Sequence, residues 1–272
     1  MLVVCLGDLL LDVIVRLDEA LAPGADAVAE THAGAGGQAA NVAAWAVELG
    51  AEARFIGKRA DDAAARLVAD EFRARGVDLV GPVVHGRNGI VVSLVGPDGD
   101  RTMASDRGVA PELEPEELDR EWFAGADVLH LSGYSLMRTP IDHAALHAAE
   151  LARAEGARVS VDLSAWTRIR DFGPAAFRDR LGRMRPDVLF ANEAEWEIVG
   201  GAYALARTAV IKRGARGIRV LGEQEAELPA VAGDVVDATG AGDALAAGFL
   251  VGGPELAVEA AARCVGKLGT MP

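Results

Sequence analysis

Six short runs, Val3–Leu6, Arg54–Ile56, Val128–Leu131, Val159–Asp162, Val188–Ala191 and Ala209–Lys212, are apolar almost throughout, and stretches of helical length, most of them rich in alanine, separate them. A strand covered by helices on both faces reads as a continuous apolar run, so the alternation predicts repeated βαβ units around a mostly parallel sheet. Helices are expected over 38–49, 61–75, 140–155, 174–183 and 193–199. After Lys212 the pattern changes to a strand at Ile218–Leu221, a short strand at Val235–Val236, and helices near 242–252 and 255–268. The fold class is α/β, with three α/β/α layers, and no linker, repeat or charge block divides residues 1–272 into separate domains.

Two stretches break this rhythm. Residues 12–18 and 27–32 read as extended segments joined by Ala22-Pro23-Gly24, and residues 89–105 read as a hairpin turning at Gly96-Pro97-Asp98-Gly99. Together the segments near 12–32 and 88–106 are expected to form a small antiparallel sheet outside the main one, a lid or a dimerisation flap.

Composition excludes several function classes. The net charge of −14 repels polyanions, which argues against nucleic-acid binding and against docking on an anionic membrane. A small anion is still admissible, because one nest of backbone N–H groups can hold it whatever the global charge. The two cysteines, Cys5 and Cys264, make neither a disulfide framework nor a zinc spacing, and the N-terminus lacks a basic signal-peptide region, which together point to the cytoplasm. The longest uncharged run, Thr31–Val47, is interrupted by Gly34, Gly36, Gly37, Gln38 and Asn41 and is no membrane span.

Asp237-Ala238-Thr239-Gly240-Ala241-Gly242-Asp243 precedes an almost wholly apolar helix. Small residues bring the backbone close to a ligand, and the free N–H groups of a helix start suit a phosphate. Asp243 is either an acid facing that ligand or a cap for the helix. A second motif, Gly34-Ala35-Gly36-Gly37-Gln38-Ala39-Ala40-Asn41, opens a helix that is apolar apart from Gln38 and Asn41, which share a face. Asn41 and the Gly36-Gly37 backbone are candidates for holding a polyhydroxylated ligand, or Asn41 ties the helix to a neighbouring loop. The same glycines match G-x-G-x-x-A, but no acid ends the following strand as a dinucleotide site requires, and Gly57-Lys58-Arg59 does not complete a phosphate-binding P-loop. His143 and His147 lie four apart on one helix, a spacing open to zinc but common on a surface.

Taken together, GGQAANVAAWAVELG and VVDATGAGDALAAGFL resemble the N- and C-terminal signatures of the ribokinase-like (pfkB) carbohydrate kinases, and the alternating pattern extends the resemblance over essentially the whole chain. The resemblance implies an ATP-dependent, Mg²⁺-requiring kinase of ribokinase-like fold acting on a sugar-like alcohol. It implies Asp243 as the catalytic base, with the backbone of Gly240, Ala241, Gly242 and Asp243 as the anion hole for the transferring phosphoryl group. Asn192-Glu193-Ala194-Glu195 resembles the family's N-x-x-E element, which places Asn192 near the phosphates and Glu195 at Mg²⁺ through water. Lys212, Gly214, Gly217, Thr239 and Gly269 are carried over to the nucleotide, with the last helix around Ala260 and Cys264 walling the adenine. Asp12, Gly36, Gly37 and Asn41 are carried over to the sugar, Asp8 to a structural role, and Asn88, Arg101 and Arg107 to either the lid or the surface. A monovalent cation such as K⁺ beside the Asp237 loop also follows from the resemblance, and the lid strands, able to pair across a two-fold axis, suggest a homodimer.

One departure stands out. Where many relatives carry D-x-N-x-R, this chain has Asp162-Leu163-Ser164-Ala165-Trp166, so Ser164 replaces an amide and Trp166 a guanidinium, with Arg168 two positions late. The readings carried forward are a sugar kinase, a nucleoside kinase of the same family, a non-catalytic binding homologue that kept the fold, and an NAD(P)-dependent oxidoreductase using residues 34–39.

Overall fold

A computed structural model describes residues 1–98, 101–201, 205–223 and 225–272, with the side chain of Arg101 outside that description. The first half runs β1 (Leu2–Leu6), β2 (Leu10–Leu17), β3 (Ala29–Gly36), α1 (Gln38–Glu48), β4 (Glu52–Ile56), β5 (Arg59–Ala60), α2 (Ala63–Ala74), β6 (Asp78–Val80), β7 (Val83–Val84), β8 (Asn88–Val95) and β9 (Arg101–Gly108). The second half runs β10 (Val128–Ser132), α3 (Ile141–Ala154), β11 (Arg158–Asp162), α4 (Trp166–Phe172), α5 (Pro174–Met184), β12 (Val188–Asn192), α6 (Glu193–Ile198), β13 (Thr208–Lys212), β14 (Ile218–Gly222), β15 (Ala226–Leu228), α7 (Ala241–Gly252) and α8 (Pro254–Val265).

The central sheet has the order β15-β14-β13-β12-β11-β10-β1-β4-β6 and is parallel except for its β14 and β15 end. All six expected apolar runs are strands of this sheet. Helices cover both faces: α1, α2, α7 and α8 pack with Val3, Cys5, Phe190 and Val210 on one side, and α3 and α5 with Val4, Leu6, Leu129 and Leu189 on the other. This is the three-layer α/β/α architecture.

A second sheet, in the order β3-β2-β8-β9, is the lid. The segments that broke the βαβ rhythm form it, with β2 antiparallel to β3 and β8 antiparallel to β9, but the two hairpins join through β2 and β8 in parallel, so the sheet is mixed where a wholly antiparallel one was expected. Gly99, the last residue of the expected β8–β9 turn, lies outside the described residues. Register places Asp12 on one lid face with Gly34, Val91 and Ser105, and Val13 on the other with Ala33, Val92 and Ala104. The first of these faces carries Arg107, which reaches back to the main sheet.

Three expectations change. Val235–Val236 is not a strand: its side chains are exposed, and Val236 N donates to Val265 O at the end of the last helix, not to a neighbouring strand among the described residues. The last strand forms instead at Ala226–Leu228, too short and polar to stand out by pattern. The final helix stops at Val265, so Gly269 lies beyond it. The helix α4 was not anticipated, because Trp166, Arg168, Arg170 and Asp171 blur its apolar period.

Candidate active site

The loop before α7 is built by Asp237. One oxygen of its carboxylate accepts from Thr239 N at 2.8 Å and Thr239 Oγ1 at 2.6 Å, and the other accepts from Gly269 N at 3.3 Å. Gly240 then takes φ 79°, a left-handed conformation that costs other residues strain, and a Cβ there would lie 2.8 Å from Thr270 Cα. The chain enters α7 so that Asp243 sits in its first turn, with Asp243 N donating to Gly240 O at 2.9 Å and Ala241 N reaching Ala238 O at 3.4 Å.

Alanine and glycine decide what Asp243 meets. The helices α1 and α7 pack against each other, and their buried residues are mostly alanine, among them Ala43, Ala44, Ala244 and Ala247, too small to hold backbones far apart. The short side chain of Asn41 therefore reaches across, and its Nδ2 donates to Asp243 Oδ2 at 2.7 Å. Thr270 Oγ1 donates to Asn41 Oδ1 at 3.1 Å. Asn41 thus ties the helix to the C-terminal segment, the second of its two sequence readings, and lies beside Asp243.

Charge gathers beneath. Asp162 is almost fully buried and accepts from Lys212 Nζ at 2.6 Å and Ser164 N at 3.0 Å. Burial works against the Lys212 ammonium, but Asp162, Glu195 and Asp243 together hold its pKa above the usual value. A Cβ on Gly242 would lie 3.2 Å from that ammonium, so Lys212 rests against the first turn of α7. Burial pushes the Asp243 carboxyl up to about 7; the Asn41 N–H and Lys212 oppose this, and Asp162 and Asp12 add to it. A carboxyl of that kind accepts a proton near neutral pH.

Asn192 and Glu195 close a reciprocal capping box at the start of α6. Asn192 N and Nδ2 donate to the two Glu195 oxygens at 2.8 Å each, and Glu195 N donates to Asn192 Oδ1 at 2.9 Å. Burial raises the Glu195 pKa. Both lie at the carboxyl ends of the strands, beside Lys212. Among the described residues, no group of three or more His, Cys, Asp or Glu is placed to hold a metal ion, and His143 lies beside Asp142 at 4.0 Å.

On the lid side, Gly36 faces the Asp12 carboxylate so closely that an added Cβ would overlap it, and Gly37 caps α1. Both amide atoms of Gln38 are buried without a hydrogen-bond partner among the described residues, next to these glycines. Asp8 is held in a two-pronged pair by Arg107, at 2.5 and 3.0 Å, and Arg107 also donates to Tyr134 O at 3.3 Å. Arg107 is therefore a strut from the second sheet to the loop after β1, where the sequence left it open between lid and surface. Asn88 is buried and donates to Leu9 O at 3.1 Å, tying the lid's base to the main sheet.

A cleft of about 750 Å³ opens between the lid ends, at Arg16, Asp18 and Pro97, and the loop residues Val236, Asp237, Ala238 and Thr239, with Leu268 on the rim. Gly214 and Gly217 bracket the short turn between β13 and β14 and do not line it. The glycines of G-x-G-x-x-A end an antiparallel lid strand, not the first parallel βα turn of a dinucleotide fold. At Ser164, in the left-handed region at φ 73°, the hydroxyl donates to Asp162 O at 3.0 Å and accepts from Gly133 N at 3.1 Å. Sequence reasoning missed the Asp162–Lys212 pair, Thr270 and Tyr134, since no local motif marks them.

Comparison with known proteins bears on the family and the fold. The family model for pfkB family carbohydrate kinases matches residues 1–270. The chain is 33% identical over 270 residues to the ATP-dependent ribose-1-phosphate kinase of Halopiger xanaduensis, covering 93% of this chain and 86% of that one. It is 28% identical over 272 residues to a probable fructokinase-7 of Arabidopsis thaliana, covering 92% and 78%. In structure it is similar to adenosine kinase from Sinorhizobium meliloti, with a TM-score of 0.86, 25% identity, and 99% and 95% coverage. It also shares the fold of a putative ribokinase II from E. coli solved with ATP and Mg²⁺, at a TM-score of 0.83, 20% identity, and 99% and 94% coverage. With these matches spanning the sheet, the lid and both glycine motifs, the chain belongs to the pfkB family of carbohydrate kinases.

Proposed function

We propose that the protein moves the γ-phosphoryl group of Mg-ATP to a hydroxymethyl group of a sugar or sugar-like alcohol. The observation that carries this reading is the Asp243 carboxylate, set in the first turn of α7 behind the left-handed Gly240 and held by the Asn41 amide at 2.7 Å, where burial favours its protonated form. Asp243 takes the proton of the acceptor hydroxyl as that oxygen bonds to the γ-phosphorus, and the bond to the ADP oxygen breaks. The backbone of Gly240, Ala241, Gly242 and Asp243 stabilises charge on the transferring group. Asp12, Gly36, Gly37 and Asn41 hold the acceptor, and the unmatched amide of Gln38 joins them. Asn192, Lys212, Gly214, Gly217, Thr239 and Gly269 hold the nucleotide.

Mg²⁺, when bound with the phosphates, would neutralise their charge. The Asn192–Glu195 box fits a role through water, because both carboxylate oxygens already accept from Asn192 and Mg²⁺ commonly keeps its waters. The relatives, an ATP-dependent ribose-1-phosphate kinase and a probable fructokinase, support a sugar acceptor and ATP. The two cysteines are free and buried, which suits a reducing cytoplasm. The lid face bearing Val13, Val15, Val92 and Leu94 is part-exposed, and a second copy of this chain covers it in the proposed homodimer.

The test is ADP release from Mg-ATP over sugars, sugar phosphates, keto sugar acids and nucleosides, with and without K⁺, beside Asp243→Asn. Turnover with a sugar or sugar phosphate that disappears in the variant supports the reading. Turnover confined to nucleosides moves the acceptor class, and no turnover with any acceptor overturns it.

A further inference from the structure

We propose that Thr270 is a positioning residue for the reaction: through Asn41 it orients the Asp243 carboxylate and sets how readily that carboxylate takes a proton. The proposal rests on the reading of Asp243 as the base and goes beyond it, because Thr270 belongs to neither glycine motif.

Three short side chains from three distant parts of the chain form one line. Thr270 Oγ1–H donates to Asn41 Oδ1 at 3.1 Å, and Asn41 Nδ2–H donates to Asp243 Oδ2 at 2.7 Å. Asn41 and Thr270 are both buried, at 4% and 8% exposure, so water does not readily substitute for a lost link. The anchor of the line is firm. Thr270 O accepts from Trp45 Nε1 at 2.9 Å, and Thr270 Cα packs against Gly240, so the residue that grips Asn41 also braces the entry to α7.

The sign follows from hydrogen-bond polarisation. A donor on an amide oxygen strengthens that amide's own N–H as a donor, and the N–H here stabilises the ionised carboxylate. Removing the Thr270 hydroxyl weakens the Asn41 bond to Asp243 and favours the protonated acid. The charged and titratable groups facing Asp243 are Asp12 from β2, Tyr134 after β10, Asp162 from β11, Lys212 from β13 and Cys264 from α8. Cys264 touches Thr270 through its thiol and the backbone oxygen at 3.9 Å, and a side-chain change at Thr270 removes neither atom.

The experiment follows the Asp243 carboxyl by ¹³C NMR of aspartate-labelled protein, assigned with Asp243→Asn, beside the pH profile of kcat/KM. In Thr270→Val the titration midpoint and the acid limb are both expected to move up by about half a pH unit. Asn41→Leu should move the NMR midpoint further, by about one unit, and Thr270→Ser should restore the wild-type values. If Thr270→Val does not fold, Thr270→Ala carries the same expectation. An unchanged midpoint in folded Thr270→Val or Thr270→Ala, even with reduced activity, overturns the positioning role and leaves a packing role only. Full turnover by Asp243→Asn overturns the reading of the base instead, whatever the midpoints do.

Discussion

Asp142 and Asp243 stand in the first turn of alanine-rich helices on opposite faces of the same sheet. Asp142 in α3 is met by the Arg180 guanidinium from α5, a full opposite charge. Asp243 in α7 is met by the Asn41 amide, a dipole, with Lys212 already engaged by Asp162. The first arrangement neutralises a carboxylate and locks two helices together. The second leaves a carboxylate that burial and its acidic neighbours push up to about 7, free to exchange a proton. A buried acid becomes a candidate base when its partner satisfies geometry without cancelling charge.

The sharpest way to break this contrast is to neutralise each acid. Asp243→Asn is expected to lower kcat about a thousandfold or more, measured as ADP release at saturating substrates. Asp142→Asn should leave kcat within about twofold but destabilise the fold by about 2 kcal/mol in denaturant titration, because Arg180 loses its partner while still reaching water. Equal losses of activity in both variants would dissolve the distinction.

A smaller effect comes from Asp12, one of the two acids facing Asp243. In Gly36→Ala the new Cβ displaces the Asp12 carboxylate, and kcat/KM for the acceptor should fall about a hundredfold with KM for ATP unchanged. Smaller again is the pH signature in stability. The folded Asp243 pKa of about 7 lies above that of the unfolded chain, so the stability it contributes as a neutral acid is full at low pH and lost as the pH rises toward 7. Asp243→Asn should therefore be more stable than wild type at pH 8 by on the order of 2 kcal/mol and equal to it at pH 4, read from thermal melts at both values. The smallest effect is expected at Trp166, exposed and lying over Arg170 at 5.4 Å. Trp166→Ala should change stability by less than about 0.5 kcal/mol in the same melts.

Local rules carried most of the architecture. The six apolar runs became strands because a strand sandwiched between helices has no polar face, and the lid was legible from its turn residues and broken rhythm. Both glycine motifs fall at helix starts that the fold brings together, where Asn41 meets Asp243, since close backbone approach demands small residues wherever it occurs. Where the pattern failed, at Val235–Val236 and Ala226–Leu228, the choice of strand depended on whether a neighbour's edge lay within reach. That is a property of the assembled sheet.

Residue types and periods are therefore settled along the chain, and they determined the layers, the lid and the two ends of the site. Pairing across the chain is decided only by packing. Asn41 meets Asp243 across 202 residues, Thr270 meets Asn41 across 229, and Arg107 meets Asp8 across 99. Each of these short-range bonds exists because alanine-lined helices and a lid strand come within a few ångströms of one another. The strength of such a bond falls steeply with distance and angle, so no spacing in the sequence could announce it.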